Sequence, residues 1–411
     1  MNDEQVKTYT LPNGLRVIHM MSPTQVAYCG IAVDAGSRDE RSGEYGLAHF
    51  CEHLMFKGTT RRRSWHILNR MESVGGDLNA YTNKEETVFY AAFMRQHLIR
   101  ATELIADIVF NSTFPQQEID KECEVIVEEI ESFNDSPADL IFDEFENLIY
   151  ANHSLGHDIL GSKDTVRSYK TADSIRFFQR MYKPERMVFF VYGNYSEQEV
   201  KRCFRYLTTV QASAGDTRRQ VEDFGPRQVG ARQEKQMDTH QAHVMMGCRA
   251  YPSDDQRRIA LYFLNNLIGG PGMNSLLNIA LREKRGWVYT VESILTNYTD
   301  TSTFSVYFGC EPEHVDKCIR IVHQVLRRLA DTPLSERQFG AAMKQIKGQI
   351  GVACDNFENF ALDITKSFLH YNKVEGVNDT FRHLEQLTPQ LLQSVAQDLF
   401  TESNLSILIF R

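Results

Sequence analysis

The chain has no apolar run long enough to span a membrane. Its longest apolar runs, such as Met187-Val188-Phe189-Phe190-Val191-Tyr192, are the size of one strand; a spanning helix needs about 18 apolar residues. It has no basic and then apolar leader. The start, Met1-Asn2-Asp3-Glu4-Gln5, is acidic and polar, so no secretory signal is expected. It has no excess of positive charge. Lys and Arg total 45 against 54 Asp and Glu, a formal charge of −9, which argues against a nucleic-acid partner. The short runs Arg61-Arg62-Arg63 and Arg218-Arg219 read as solvated loop charge. It has no CxxC pair. Eight cysteines, at 29, 51, 123, 203, 248, 310, 318 and 354, are scattered. That suits reduced thiols rather than a disulfide framework. These absences lead to the expectation of a cytoplasmic protein without membrane or nucleic-acid partners.

The residues present suit a globular protein. Of 411 residues, 42% are hydrophobic and 24% charged, enough apolar material for two or three domains. Residues 7–10 and 15–20 read as a hairpin about Pro12-Asn13-Gly14, since Asn-Gly between apolar alternation is a strong turn signal. Residues 26–33 and 87–93 read as strands. Helical spacing of apolar positions covers 46–55, 65–73, 95–110, 116–134 and 136–151. Residues 211–226 are polar, contain Gly and Pro, and lack periodicity, which places a linker at 214–228. The second half of the chain resembles a copy of the first: strands at 240–248, 286–297 and 301–310, with helices at 257–268, 313–329 and 336–353. Ala48–Leu54 falls on Leu261–Leu267, where the apolar spacing persists and the polar residues are lost. The expected architecture is α+β. Two homologous αβ domains, 1–213 and 229–411, each hold an antiparallel sheet of about six strands with helices on one side.

The chemistry concentrates in His49-Phe50-Cys51-Glu52-His53. A helix turns 100° per residue, so His49 and His53 share a face one turn apart and can hold one ion at about 2.0–2.1 Å each. Glu52 lies about 60° from His49 around the axis, within reach of a metal-bound water. Phe50 and Cys51 point toward the core. Burying two His and a Glu among Leu47, Phe50, Leu54 and Met55 would be costly without a partner. A catalytic zinc needs a third protein ligand and an open position. The acidic helix 118–131 is the source. In it Glu122 and Glu129 share a face, whereas Glu124, Glu128 and Glu131 form a separate, solvated stripe. His153 and His157 also lie four apart, but Asn152 and Gly156 make that stretch loop-like, with a structural or substrate-facing role.

His49-x-x-Glu52-His53 has the inverzincin order. Gly46–Thr59 resembles the signature of the pitrilysin and insulin-degrading enzyme family, which includes the mitochondrial processing peptidases. Gly75–Thr82 is similar to that family's substrate-binding edge strand, Glu122–Ile130 to its acidic helix, and Leu281–Tyr289 to its C-terminal Arg/Tyr motif. The resemblance implies a zinc metalloendopeptidase with one Zn2+ per chain, held by His49, His53 and Glu129. Glu128 and Glu129 lie 100° apart on a helix; the match to the motif selects Glu129. Glu122 would orient a ligand and Glu52 would be the general base. Arg282 and Tyr289 would contact the substrate carbonyl. Asn79, Ala80, Tyr81 and Thr82 would line a peptide bound as an added strand. Members of this length pair, which implies a homodimer with composite sites acting on peptides. The alternative is a non-catalytic or hetero-oligomeric partner subunit of the same family. Such relatives lose ligands that this chain retains.

Overall fold

Asn13-Gly14 reverses the chain with Gly14 at φ 85°, and β1 (Val6–Thr10) pairs antiparallel with β2 (Arg16–Met21). The computed structural model describes residues 6–213, 219, 221–227, 230–237 and 239–411. The acidic start, Arg218 and part of the linker 214–228 lie outside the described residues. The chain divides into two compact units.

The first unit holds residues 1–131, 157–220 and 353–376. Besides β1 and β2 its sheet contains β3 (Val26–Val33), β4 (Asp77–Thr82), β5 (Thr87–Met94) and β6 (Met187–Gly193), in the order β1-β2-β6-β3-β5-β4. The apolar run 187–192 is central and buried throughout, as its composition requires. It lies parallel to β2, from which three strands and a run of helices separate it in the chain. The sheet is therefore mixed. It is also covered on both faces. Val17, Cys29, Phe89 and Val191 face one core with the helices Leu47–Met55 and Leu98–Asn111. Ile18, Val88, Phe190 and Tyr192 face a second core with the helix Phe357–Tyr371. Strand alternation explains this: both faces of these strands are apolar, so both need cover.

The second unit holds residues 132–156, 221–352 and 377–411. Its five strands are β7 (Arg232–Lys235), β8 (Ala242–Arg249), β9 (Val288–Asn297), β10 (Ser302–Cys310) and β11 (Ser406–Phe410), in the order β7-β11-β8-β10-β9. Again one pair, β7 and β11, is parallel. Helices Arg257–Gly269, Val315–Asp331 and Pro389–Leu399 cover one face, and the helix Pro137–Ile149 covers the other. The order strand, helix, hairpin, helices recurs in both units, as the repeat predicts. Among the described residues no helix is long and apolar enough to cross a membrane.

Candidate metal centre

The helix Leu47–Met55 begins at Gly46, whose φ of 94° disfavours any side chain. A Cβ there would come within 2.6 Å of the Leu160 carbonyl oxygen, so the close approach also needs glycine. The buried Glu40 carboxylate caps the helix. Its Oε2 accepts the Gly46 N–H at 3.0 Å and its Oε1 the Ala48 N–H at 2.7 Å. This satisfies N–H groups that have no partner within the helix, and an acid at that end suits the helix dipole. Leu47, Phe50, Leu54 and Met55 are fully buried. Each contributes about 1.5–3 kcal/mol of burial, which anchors the helix while it carries polar groups inward. Cys51 turns away from the histidines and is buried near the Ser174 carbonyl, and burial pushes its thiol far up.

His49 and His53 stand with ring centroids 4.5 Å apart. Glu129, on the helix Gln116–Asn134, reaches both. Its Oε1 lies 3.8 Å from His49 Nε2 and its Oε2 lies 3.7 Å from His53 Nε2. These gaps are too long for hydrogen bonds. They approach the spacing of about 3.3 Å between ligands arranged tetrahedrally around zinc. The three residues can each offer one ligand atom, all within 4.8 Å of one another. Glu129 is half-buried, while Glu124, Glu128 and Glu131 are exposed. The outer two of that stripe bond surface cations, Arg167 and Lys163.

The donor set fits zinc. His49 makes no side-chain hydrogen bond among the described residues, and its Nδ1 is buried without a partner. Burial, together with the neighbouring His53, lowers its pKa to about 3, so it is the neutral imidazole a metal requires. A shared ion would give its Nε2 the partner the protein does not. Burial opposes charge on His53, but the hydrogen bond to Glu122, with Glu52 and Glu129 nearby, outweighs it and raises the pKa. Glu122 Oε1 meets His53 Nδ1 at 3.2 Å, and Lys57 Nζ meets Glu122 Oε2 at 2.7 Å. Burial would raise the Glu122 pKa; His53 and Lys57 together hold it below the usual range. Glu122 thus presents an ionised carboxylate that leaves His53 Nε2 facing Glu129. Replacing Glu122 by Gln should weaken zinc binding about 10- to 100-fold without unfolding the chain. Competition against a coloured chelator measures this, and unaltered affinity would remove Glu122 from that role.

Glu52 is buried beside the group, and burial raises its pKa. The helix packs against β4, the edge strand, which pairs with β5 and has its other edge unpaired among the described residues. Asn79, Ala80 and Tyr81 are half-buried along it, and Thr82, at its end, is buried with its hydroxyl on Glu52. Arg282 and Tyr289 belong to the second unit. They lie together there, the guanidinium 5.8 Å from the ring centroid, and both are exposed, Tyr289 at 79%. His153 bonds Glu222, and His157 bonds Glu40 and the Ser37 carbonyl, so both serve structural contacts. Glu40, Lys57 and the Thr82–Glu52 bond were not visible as site features in the sequence. For Lys57 a signal existed: it stands four residues after His53.

A family model described as "Insulinase (Peptidase family M16)" matches residues 16–163, and one described as "Peptidase M16 inactive domain" matches residues 170–346. The chain is 33% identical over 401 residues to an uncharacterized zinc protease of Streptomyces coelicolor, covering 96% of this chain and 87% of the relative. It is 30% identical over 399 residues to an uncharacterized zinc protease of Bacillus subtilis, covering 97% and 96%. It is 29% identical over 406 residues to the mitochondrial-processing peptidase subunit beta of Bos taurus, covering 96% and 82%. A solved protease from Helicobacter pylori shares the fold at a TM-score of 0.93 and 22% identity, with 99% of both chains covered. The histidine pair, the glutamate between them and the distal acidic helix thus sit on a fold and in a sequence context shared along almost the whole length, and the chain belongs to the M16, or insulinase, family of peptidases.

Proposed function

We propose that the chain is a zinc-dependent endopeptidase that hydrolyses peptides or unfolded segments bound as an added strand along β4. The convergence of His49, His53 and Glu129, with Glu52 on the helix of the two histidines, carries this reading. His49, His53 and Glu129 would hold one zinc per chain, and Glu122 would orient His53. The zinc, when bound, supplies a water acidified toward neutral pH and a Lewis acid for the scissile carbonyl. Glu52 takes the proton of the attacking water on its carboxylate and passes it to the leaving amine nitrogen. Its raised pKa suits a group that must both accept and release that proton. The edge of β4 that is unpaired among the described residues offers backbone N–H and C=O groups to an extended peptide, which aligns the scissile bond. The Arg282 guanidinium and the Tyr289 hydroxyl donate to the carbonyl oxygen as it gains charge. In a homodimer they would come from the other copy, giving composite sites.

The rival reading of a non-catalytic subunit asks for a chain that has lost ligands or base; a hetero-oligomeric partner, active only beside a degenerate subunit, would keep them. This chain keeps all of them in its first half, and the part matched by the inactive-domain model, residues 170–346, contains none of them. A reduced, cytoplasmic setting fits the free cysteines, seven of the eight buried. Digestion of a mixed peptide library, with and without chelator, scored by mass spectrometry, tests the proposal. Chelator-sensitive cleavage within peptides is expected; an intact library from zinc-loaded protein would favour the partner-subunit reading.

A further inference from the structure

We infer that Thr82 is a positioning residue for Glu52: its hydroxyl holds carboxylate oxygen Oε2 and leaves Oε1 as the oxygen that takes the proton from water. This rests on the reading of Glu52 as the base. Thr82 Oγ1 donates to Glu52 Oε2 at 2.9 Å. Among the described residues no other side chain or backbone group hydrogen-bonds that carboxylate, so this contact sets its orientation. Strand alternation aims the hydroxyl there. Ala80 packs in the core shared with the helix Leu47–Met55, and Tyr81 packs on the opposite face. Thr82 is two residues from Ala80 and therefore faces the helix.

The direction of the bond is set by the neighbours. Thr87, the cross-strand partner of Thr82, spends its proton on the Ala35 carbonyl at 2.9 Å. The hydroxyls of Thr82 and Thr87 are 3.3 Å apart, so the Thr82 proton has two possible acceptors. The shorter contact to a carboxylate is the charge-assisted and stronger one. Oε2 is then engaged by the Thr82 hydroxyl, and Oε1 is the oxygen left to face the water. Because Thr82 ends the strand whose free edge would take the peptide, one rigid strand places both the scissile bond and the base.

The test uses the full chain, zinc-loaded, as Thr82→Val and Thr82→Ser. Val keeps the branched shape and the strand preference but loses the donor; Ser keeps the donor. The expected result for Thr82→Val is a kcat lower by about 10- to 100-fold, in the range seen when such supporting contacts are lost. Its KM and zinc content should stay unchanged, and Thr82→Ser should restore most of the turnover. A crystal structure of Thr82→Val gives a readout independent of turnover: the Glu52 carboxylate should leave the single orientation it holds beside Thr82. Wild-type kcat in Thr82→Val, an equal loss in Thr82→Ser, or an unmoved Glu52 would overturn the assignment. If the wild-type chain cleaves no peptide, the reading of Glu52 as base fails, while the carboxylate orientation still tests Thr82.

Discussion

Glu52→Gln should lower peptide turnover by about 10²- to 10⁴-fold while leaving zinc uptake intact. That range is what a positioned general acid–base group contributes. The substitution separates chemistry from coordination. Glu52 is not one of the three converging ligand residues. The amide keeps the shape and still offers an oxygen to the Thr82 hydroxyl, but it cannot take a proton from water. Stability should hold or rise. Burial works against the charged form of Glu52, and a neutral amide removes that cost. Turnover by a stopped assay, zinc by elemental analysis and a melting curve on one preparation check all three. Full activity in this variant would remove Glu52 as the base. Loss of zinc would make it a ligand instead.

His49→Ala should act the other way round and abolish zinc binding at concentrations that saturate the wild type. A ligand contact must exceed the about 10- to 100-fold typical of the supporting contacts behind it, so a loss beyond 100-fold is expected. His49 brings an imidazole held neutral by its surroundings, with its Nε2 toward Glu129. Without metal it contributes little that alanine lacks apart from packing. The signature is therefore in linkage. Zinc at about 1,000 times its Kd stabilises a protein that binds it by about 4 kcal/mol, and the variant should show none of that gain. Thermal unfolding with and without zinc reads the difference directly. A variant that zinc still stabilises to the wild-type extent would take His49 out of the centre.

How much of this could be read from the residues depends on the range of each contact. His49, Glu52 and His53 share one helical turn, so helix geometry alone puts two imidazoles and a carboxylate together. Glu129 comes from another helix, and only the family motif chose it over Glu128; in the fold Glu129 is half-buried and Glu128 exposed. Glu40 at the helix start, and Thr82 on Glu52, lie 8 and 30 residues from the groups they bond. No periodicity encodes such pairs. The same limit applies to the sheets. Apolar alternation marked most strands within a residue or two, yet the parallel neighbours β2 and β6 are separated in the chain by three strands and a run of helices. The helices 137–149 and 357–371 show an apolar stripe in sequence, but a stripe does not name the sheet it will cover. Each covers the second apolar face of a sheet in the unit where it packs, which the expectation of one-sided layers left open to solvent.

The central claim is that one zinc, held by His49, His53 and Glu129, makes this chain a peptidase. Titrating zinc into the metal-free chain while monitoring cleavage of a fluorogenic peptide tests it most directly. Turnover should be absent without metal, rise in proportion to bound zinc and stop rising at one ion per chain. Cleavage by the metal-free chain, or a chain saturated with zinc that cleaves nothing, would contradict it.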